Sequence, residues 1–232
     1  MALILHTLVK HLRLYLGKIN RLIIPKNAVV WPDLEREIGD WRKYLKGRCL
    51  NAGAGNRDIS HLIEGELVNL DIEAGHHNKN IDIFAPLHNI PVPSEHFNSI
   101  ICNAVLEHVI NPHDVLDEFY RILKKNGNIY LCVPFLQPYH ADPNDYQRYT
   151  LDGLHNILEQ HKFKVIKSEP VHTVYHTLGW IIEIWLNSKS SIFNSILRCL
   201  LFPIIRNRTR FSKNTCLATA SAFRVVAKKV LH

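Results

Sequence analysis

With 232 residues, 47% of them hydrophobic and 21% charged, the chain can form one well-buried globular domain with additions, which excludes a disordered polypeptide. The five cysteines form no CxxC pair, and Cys49, Cys102 and Cys132 lie in apolar runs, so we expect buried free thiols in a reducing compartment. No stretch has the roughly 18 uncharged apolar residues that cross a bilayer, and no signal-peptide pattern is present. We therefore expect a cytoplasmic protein.

The net charge of +7 is concentrated toward the two ends of the chain. Residues 187–232 contain nine Lys or Arg and no Asp or Glu. Such a segment is suited to nucleic acid, anionic lipid or a phosphorylated substrate, and it can equally form a solvated face that favours solubility. The charge distribution leaves these alternatives open.

Apolar residues recur at helical spacing over residues 1–24, with Lys and Arg between them, which predicts an amphipathic helix. Such a helix can lie peripherally on the inner face of a membrane or cap the core of the domain. A second helix is predicted over residues 33–46, with Asp33 as its N-cap and Gly47 as its stop. We therefore expect an N-terminal helical cap over residues 1–47 and a main domain over residues 48–232.

From residue 48 onward, short apolar segments typical of strands alternate with helical patterns. Strands are predicted over 48–52, 66–71, 79–84, 97–103, 129–133 and 163–168, helices over 57–63, 112–123 and 151–160, and a turn over 125–128. This alternation predicts a doubly wound α/β fold, with a mostly parallel sheet covered by helices on both faces.

The alternation of strand and helix patterns ends after Pro170. Two apolar helical runs, around 178–186 and 192–205, predict a helical insertion or lid over about 171–216. A last strand is predicted over 218–230, in which residues 222–227 alternate loosely. Because this strand follows a long helical segment, we expect it to be antiparallel and to lie at or next to an edge of the sheet.

The segment 50–55, LNAGAG, predicts the end of a strand followed by a glycine turn, and the next predicted strand ends at Asp71. Glycine lets backbone approach a ligand closely, because it has no Cβ and tolerates positive φ. A carboxylate at the end of the second strand can accept two hydrogen bonds from a ribose diol. Together these features predict a site for an adenosine-containing cofactor.

The glycine pattern favours a cofactor without phosphates. A dinucleotide-binding turn needs a third glycine, but Asp58 stands three residues after Gly55, where it would compete with a pyrophosphate. A P-loop is excluded because no Gly-Lys-Ser/Thr follows the turn. S-adenosylmethionine fits these constraints.

Three further segments follow in a characteristic order: IPVPSEHFNSI at 90–100, NAVLEHV at 103–109 and EFYRILKKNG at 118–127. With the glycine turn and Asp71, they make the chain from Cys49 to about Phe163 resemble the class I S-adenosylmethionine-dependent methyltransferases, of the methyltransferase-11-like family. The resemblance implies a Rossmann-like, seven-stranded sheet whose last strand is antiparallel.

The resemblance also implies roles for matching positions. Asp71 would hold the ribose hydroxyls of S-adenosyl-L-methionine, between Ile72 and Leu87 on the two faces of the adenine. Asn103 and Val105 would close the methionine side, with His108 just beyond. The methionine part would be lined by the turn residues Asn51, Ala52, Gly53, Ala54 and Gly55.

Two positions depart from the family pattern. Asn51 replaces the usual acidic residue and supplies no negative charge, and Pro86 stands where relatives often have an Asp that binds the adenine amino group. Each lost charge-assisted hydrogen bond weakens cofactor binding by about 1.5–3 kcal/mol unless another group replaces it.

The loop over 134–150, after the fifth predicted strand, is rich in groups able to act on an acceptor. In an open parallel sheet, ligands lie beyond the carboxyl ends of the strands, where this loop begins. His140 is a candidate general base, which Asp142 or Asp145 would orient. Arg148 would either anchor a carboxylate or phosphate of the substrate or pair with Asp145 to pin the loop.

These features favour an enzyme that methylates a small-molecule or glycan-type acceptor, most simply at oxygen. The alternatives are a nucleic-acid methyltransferase and a degenerate methyltransferase fold that serves as a binding or membrane-associated scaffold. The 15 histidines show no metal-ligand spacing, so no metal is expected. The acceptor and the oligomeric state are not encoded in a recognisable pattern.

Overall fold

The computed structural model describes Thr7 and residues 27–72, 80–189 and 191–230. Apart from Thr7, the amphipathic helix predicted over residues 1–24 lies outside these residues. The described chain divides into two compact units. One contains residues 33–171 and 220–230, and the other contains residues 27–32 and 172–219.

The first unit is built on a seven-stranded sheet in the order β3-β2-β1-β4-β5-β7-β6. The first five strands are parallel to one another, whereas β7 is antiparallel to both β5 and β6. This confirms the predicted fold, with the last strand next to the edge. The strands are β1 (Cys49–Ala52), β2 (Leu67–Asp71), β3 (Ile83–Phe84), β4 (Phe97–Asn103), β5 (Leu123–Pro134), β6 (Phe163–Val171) and β7 (Ala222–Lys229).

Three α-helices belong to this unit: α1 (Leu34–Ile38), α2 (Pro112–Ile122) and α3 (Leu151–Gln160). The predicted N-cap of α1 is confirmed, and α3 has a cap of the same kind. The Asp33 side chain accepts the Arg36 N–H at 2.9 Å, and the Thr150 hydroxyl accepts the Gly153 N–H at 3.1 Å. These bonds satisfy backbone donors that a helix start leaves without partners, so the helices begin where the sequence places them.

Three local predictions need correction. The helix expected over 33–46 leaves α-geometry at Gly39, whose φ is +50°, and continues as a 3₁₀-helix over Gly39–Tyr44. The helix expected over 57–63 is only a 3₁₀ turn at Ser60–Leu62. The turn expected over 125–128 is an irregularity within β5, because Phe97 pairs with Leu123 while Ser99 pairs with Asn128.

The core lies on both faces of the sheet, which explains the continuous apolar runs. Adjacent residues of β4, Ile100 and Ile101, contribute to separate buried clusters, because successive side chains point to opposite faces. Cys49, Cys102 and Cys132 are buried and free, as expected. Burial raises the pKa of the Cys49 thiol to about 11, which keeps it protonated and unreactive.

An ion pair links two of the family-like segments. Arg121 donates to both carboxylate oxygens of the mostly buried Glu118 at 2.7 Å, and to the carbonyl oxygens of Ile90 and Val92 at 3.0 and 2.8 Å. Glu118 also accepts the Ile90 N–H at 2.7 Å. These bonds fix the segment that leads into β4 against α2.

The second unit contains two helices, α4 (Val174–Asn187) and α5 (Ile192–Phe211). Gly179 allows α4 to pack closely, because a Cβ there would lie 2.6 Å from a methyl group of Ile205. None of the helices in the described part of the chain combines the length and apolar character needed to cross a bilayer. A role as a lid stays a prediction for this segment.

Candidate active site

The glycine turn after β1 lies at the carboxyl end of the parallel strands. Gly53 and Gly55 both have positive φ, at +72° and +54°. A Cβ on Gly53 would lie 2.5 Å from a methyl group of Val105, so this position requires glycine for both conformation and space. A Cβ on Gly55 would meet nothing within 4 Å, which leaves open space beside the turn.

Asp71 connects the second strand to this turn. One oxygen of its carboxylate accepts the Gly55 N–H at 2.8 Å, and the other accepts the Ile72 N–H at 2.7 Å. A carboxylate has about four lone-pair positions, so both oxygens can still accept bonds from a ribose diol. Asp71 therefore orders the turn and keeps the capacity that a nucleoside ligand requires.

Asn51 is buried at the end of β1, with its side-chain amide donating to the Asn69 side chain at 2.9 Å. Because the NH₂ group has this partner, the amide oxygen of Asn51 is directed elsewhere. This oxygen can accept a hydrogen bond from the amino group of a ligand, although it carries no charge.

The end of β4 is held by a polar network. Arg57 donates to the Asn103 carbonyl oxygen at 3.1 Å, and the Asn103 side chain accepts from Arg57 at 3.0 Å while donating to Glu37 at 3.1 Å. Asn103 is therefore a buried junction between the glycine turn and β4. Sequence reasoning did not single out Arg57 or Glu37, because neither lies in a family-like segment.

Apolar groups surround the predicted adenine position unequally. Ile72 is 59% exposed, so its side chain offers a free apolar surface, whereas Leu87 is only 7% exposed and belongs to the core. Phe84 pairs in register with Asp71 and is 56% exposed, which makes it a further flat apolar group that the sequence reasoning missed. Pro86 is exposed, and its carbonyl accepts the Asn89 N–H at 3.1 Å in a turn.

A carboxylate and two imidazoles meet beyond β4 and β5. Glu107 is fully buried, and neither of its carboxylate oxygens has a hydrogen-bond partner among the described residues. Oε1 of Glu107 lies 3.7 Å from Nε2 of His108 and 3.8 Å from Nε2 of His140. The Glu107 carboxylate raises the pKa of His140, against the opposing effect of burial.

Both imidazoles present the same nitrogen to Glu107. Nδ1 of His108 contacts the carbonyl oxygen of Asn144, and Nδ1 of His140 lies 2.9 Å from the carbonyl oxygen of Pro138. The Asn144 carbonyl oxygen can only accept, so Nδ1 of His108 carries the hydrogen and its Nε2 lone pair faces Glu107. Nδ1 of His140 lies between an acceptor, the Pro138 carbonyl oxygen, and a donor, Nη2 of Arg148 at 3.2 Å, while its Nε2 faces Glu107.

The loop that carries His140 is fastened to the segment after β4. The Tyr146 N–H donates to the Glu107 carbonyl oxygen at 2.8 Å, and the Gln147 side chain donates to the Val109 carbonyl oxygen at 2.8 Å. These bonds fix the distance between Glu107 and His140. The sequence alone does not reveal this approach, because the residues follow different strands.

Arg148 and Asp145 form a buried ion pair within the same loop. The two terminal guanidinium nitrogens of Arg148, Nη1 and Nη2, donate to the Asp145 carboxylate, whose side chain is 2% exposed. Arg148 also donates to the Gln147 and Pro138 carbonyl oxygens, at 2.8 and 3.1 Å. Arg148 holds the pKa of Asp145 low, at about 2.

Asp145 contacts His140 directly. Its carboxylate accepts the backbone N–H of His140 at 2.8 Å and lies 3.8 Å from Nδ1 of the imidazole ring. Asp142, by contrast, is exposed on the loop. Of the three predicted catalytic residues, the fold thus brings His140 beside Glu107, ties Arg148 to Asp145 and leaves Asp142 at the surface.

The strand order and the nucleoside-type site define the class of protein. A family model described as a methyltransferase domain, Methyltransf_23, matches residues 30–168. The chain belongs to this family of class I S-adenosylmethionine-dependent methyltransferases. Among curated proteins, none matches the chain.

Solved structures share the fold at low sequence identity. A putative sarcosine dimethylglycine methyltransferase from Galdieria sulphuraria has a TM-score of 0.57 and 14% identity, over 89% of this chain and 94% of that one. A methyltransferase from Archaeoglobus fulgidus has a TM-score of 0.56 and 16% identity, over 84% and 93%. The 1,6-didemethyltoxoflavin-N1-methyltransferase of Burkholderia thailandensis, whose structure contains S-adenosylhomocysteine, has a TM-score of 0.53 and 14% identity, over 85% of this chain and 75% of that one.

The cofactor is therefore S-adenosylmethionine, and the site described above fits it. The open space beside Gly55 leaves room for a ligand at the turn. The Asp71 carboxylate is suited to a ribose, and the exposed side chain of Ile72 is suited to an adenine. When bound, the cofactor supplies an electrophilic methyl group on a sulfonium.

Proposed function

We propose that this methyltransferase modifies an oxygen atom of a small-molecule or glycan-type acceptor, and that His140 receives the hydroxyl proton. The observation that carries this proposal is the position of Nε2 of His140, 3.8 Å from the buried carboxylate of Glu107 beyond the ends of β4 and β5. In the tautomer whose Nδ1 donates to the Pro138 carbonyl oxygen, this nitrogen carries the lone pair that receives the proton. A carboxylate beside the ring stabilises the imidazolium that forms when the proton is transferred.

In the proposed reaction, the acceptor oxygen attacks the methyl carbon in line with the carbon–sulfur bond. The electron pair of that bond stays on sulfur, which becomes the neutral thioether of S-adenosylhomocysteine, and the hydroxyl proton moves to Nε2 of His140. The sulfonium is already reactive, so the residues contribute mainly by holding the acceptor oxygen in line and removing its proton.

The cofactor contacts in this proposal follow the expected positions. Asp71 binds the ribose hydroxyls, and Ile72 and Leu87 contact the adenine, with Phe84 added as a second exposed apolar group. The methionine part is lined by residues 51–55, by Asn103 and Val105, and by His108 at its far end.

For the loop after β5, the contacts favour a positioning role for Arg148 over direct binding of the substrate. Its guanidinium donors are directed to Asp145 and to backbone carbonyl oxygens, and its Nη2 lies 3.2 Å from Nδ1 of His140. Asp145 in turn accepts the backbone N–H of His140, so we propose that Asp145 orients this histidine. Asp142 is exposed and can contact an acceptor at the surface.

The proposal is tested in two stages. Thermal unfolding is measured with S-adenosylmethionine and S-adenosylhomocysteine, both of which should raise the melting temperature. A panel of hydroxylated small molecules, sugars and generic RNA is then screened with radiolabelled cofactor. Methyl transfer to RNA, or to amines but no hydroxyl compound, would contradict the assignment of the acceptor.

One surface favours a peripheral membrane location in addition. Exposed apolar side chains recur every four residues along α5, so they share one face of the helix, and basic residues follow toward its end. The apolar positions are Ile192, Ile196, Leu200 and Ile204, and the basic ones are Arg206, Arg208 and Arg210. An apolar face with flanking arginines is suited to an anionic bilayer surface.

Co-sedimentation with vesicles tests this location. We expect the protein to bind vesicles of mixed phosphatidylglycerol and phosphatidylcholine, to release partly as salt rises, and to bind pure phosphatidylcholine weakly. The double variant Ile196→Ser/Leu200→Ser should lose binding, while Ser195→Ala on the same helix should keep it. Equal binding by all three proteins would contradict a membrane-facing role for α5.

A further inference from the structure

Glu107, His108 and His140 form a compact cluster of potential metal ligands. One ligand atom from each residue can be chosen so that all three lie within 4.8 Å of one another. Ligands around a Zn²⁺-sized ion lie about 2.0–2.2 Å from it, so small side-chain adjustments would bring these atoms to coordination distance. The three residues come from the segment after β4 and the loop after β5, whose relative position is fixed by the Tyr146 N–H bond to the Glu107 carbonyl oxygen and the Gln147 side-chain bond to the Val109 carbonyl oxygen.

The buried carboxylate is an independent indication of a ligand. Glu107 is fully buried, and both of its oxygens lack a hydrogen-bond partner among the described residues. An ionised carboxylate in such surroundings is costly unless a cation neutralises it. Neutral His108 does not supply that cation, because its Nδ1 hydrogen is directed to Asn144 O and its Nε2 lone pair faces the carboxylate.

The contacts of the other ring nitrogens, Nδ1 of His108 and Nδ1 of His140, are also typical of a metal site. Histidine ligands usually donate their other ring nitrogen to a carbonyl or carboxylate oxygen, which fixes the ring and its tautomer. Nδ1 of His108 contacts Asn144 O and Nδ1 of His140 contacts Pro138 O in this way. The arrangement therefore holds both Nε2 atoms ready to coordinate before any ion arrives.

We propose that Oε1 of Glu107, Nε2 of His108 and Nε2 of His140 bind a divalent transition-metal ion, to which the oxygen of the methyl acceptor coordinates. Two imidazoles and one carboxylate favour ions such as Zn²⁺, Fe²⁺, Co²⁺ or Mn²⁺ over Ca²⁺ and Mg²⁺, which prefer all-oxygen sites. Three protein ligands leave coordination positions open for an acceptor oxygen.

This inference rests on the methylation of an acceptor oxygen in the proposed function, and it gives His140 the role of metal ligand in place of proton acceptor. With the ion bound, His140 serves as a ligand, and the ion replaces it as the group that makes the hydroxyl acidic. The hydroxyl proton passes to solvent, the alkoxide attacks the methyl carbon, and the carbon–sulfur electron pair stays on sulfur. No oxidant or reductant is needed, so any redox-inert divalent ion of suitable size supports the step.

Co²⁺ is the probe for the test, because its visible absorption reports coordination by nitrogen and oxygen. The untagged protein is stripped with EDTA and titrated with Co²⁺ by absorption and calorimetry. We expect one tight site per chain. Glu107→Gln and His140→Gln should each weaken that site at least tenfold, about the smallest loss found when even outer contacts of a metal site are removed.

The matched control is His161→Gln. This residue belongs to a separate histidine pair, with His161 Nε2 2.9 Å from His113 Nδ1, and its loss should leave the tight site unchanged. If Co²⁺ binds the Glu107 and His140 variants as tightly as the parent protein, the inference is wrong. Circular dichroism establishes that each variant is folded, and the two ligand variants are independent in case one is not.

A second measurement separates this inference from the proposed function. The EDTA-treated protein is assayed for the thermal shift with S-adenosylmethionine and for methyl transfer with and without added metal. Cofactor binding with metal-dependent transfer supports both proposals. Full transfer without metal overturns the metal site and leaves the methyltransferase proposal intact, whereas absent cofactor binding refutes the proposed function whatever the metal does.

Discussion

The carboxylate of Glu107 lies 3.8 Å from Nε2 of His140, although the two residues follow different strands of the sheet. Glu107 is fully buried, and the neighbouring segment holds the His140 loop through the bond from Tyr146 N–H to the Glu107 carbonyl. The same residue thus supplies a backbone acceptor that fixes the loop and a side chain that faces its imidazole. This relationship places an ionisable pair beyond the carboxyl ends of β4 and β5.

Replacing His140 should separate chemistry from cofactor binding. His140→Gln removes the proton-accepting or metal-ligating nitrogen, and we expect kcat to fall by about 10²–10⁴-fold with an acceptor found by the screen. The thermal shift with S-adenosylhomocysteine should stay within error of the parent protein. A variant that loses the cofactor shift and the activity together would indicate that His140 maintains the pocket instead.

The two glycines of the turn should respond differently to alanine. Gly53→Ala adds a methyl group 2.5 Å from Val105 at a φ of +72°, so we expect a loss of about 2–5 kcal/mol in unfolding free energy. Gly55→Ala, with free space and a φ of +54°, should cost only about 1–2 kcal/mol. Urea denaturation of both variants measures the difference, and equal losses would contradict the close contact with Val105.

Asp71 is expected to control cofactor binding. Asp71→Ala removes the acceptors for the ribose and for the Gly55 N–H, and the cofactor-induced rise in melting temperature should disappear. Asp71→Asn keeps one oxygen acceptor, so part of the shift should return. An undiminished shift in Asp71→Ala would show that the ribose site lies elsewhere.

Arg148 should contribute to stability through its geometry. Arg148→Lys retains the charge but loses the planar, two-pronged contact with Asp145, and the unfolding free energy should fall by about 1.5–3 kcal/mol. Arg210→Lys on exposed α5 is the control and should change it by less than about 0.5 kcal/mol. Similar values for the two variants would indicate that the ion pair does not fasten the loop.

His176 should make the protein less stable in mild acid. Its Nδ1 accepts the Thr173 N–H at 3.1 Å, and burial lowers its pKa from 6.5 to about 4. Between pH 6.5 and 4 the unfolded chain binds a proton that the folded chain does not, so stability falls as the pH falls, by up to about 1.4 kcal/mol per pH unit. Below pH 4 this contribution levels off.

The comparison for this prediction is His176→Gln, which has no titrating ring. The difference in unfolding free energy between the parent and this variant should change between pH 6.5 and 4 and stay constant above pH 7. Because the other histidines titrate in both proteins, the difference isolates His176 together with its interaction with His172, whose ring lies 5.2 Å away. A difference that does not depend on pH would mean that His176 titrates normally.

Sequence periodicity predicted most of the strand and helix order, because buried parallel strands and capped amphipathic helices have strong local patterns. It failed at residues 57–63, where packing of Ile59 and Leu62 in the core accompanies a 3₁₀ turn rather than an α-helix. It also expected a turn at 125–128, where the chain continues as an irregular β5. Local propensity cannot anticipate such outcomes, since tertiary contacts decide them.

The sequence by itself determined the class of this protein. The glycine turn, Asp71 and the segments after β3 and β4 are local patterns, and each encodes a backbone conformation or a strand end. Only the tertiary structure brought Glu107, His108 and His140 together, because their ligand atoms meet through the parallel order of β4 and β5. The same is true of the division of the described chain into two units, which depends on packing between distant segments.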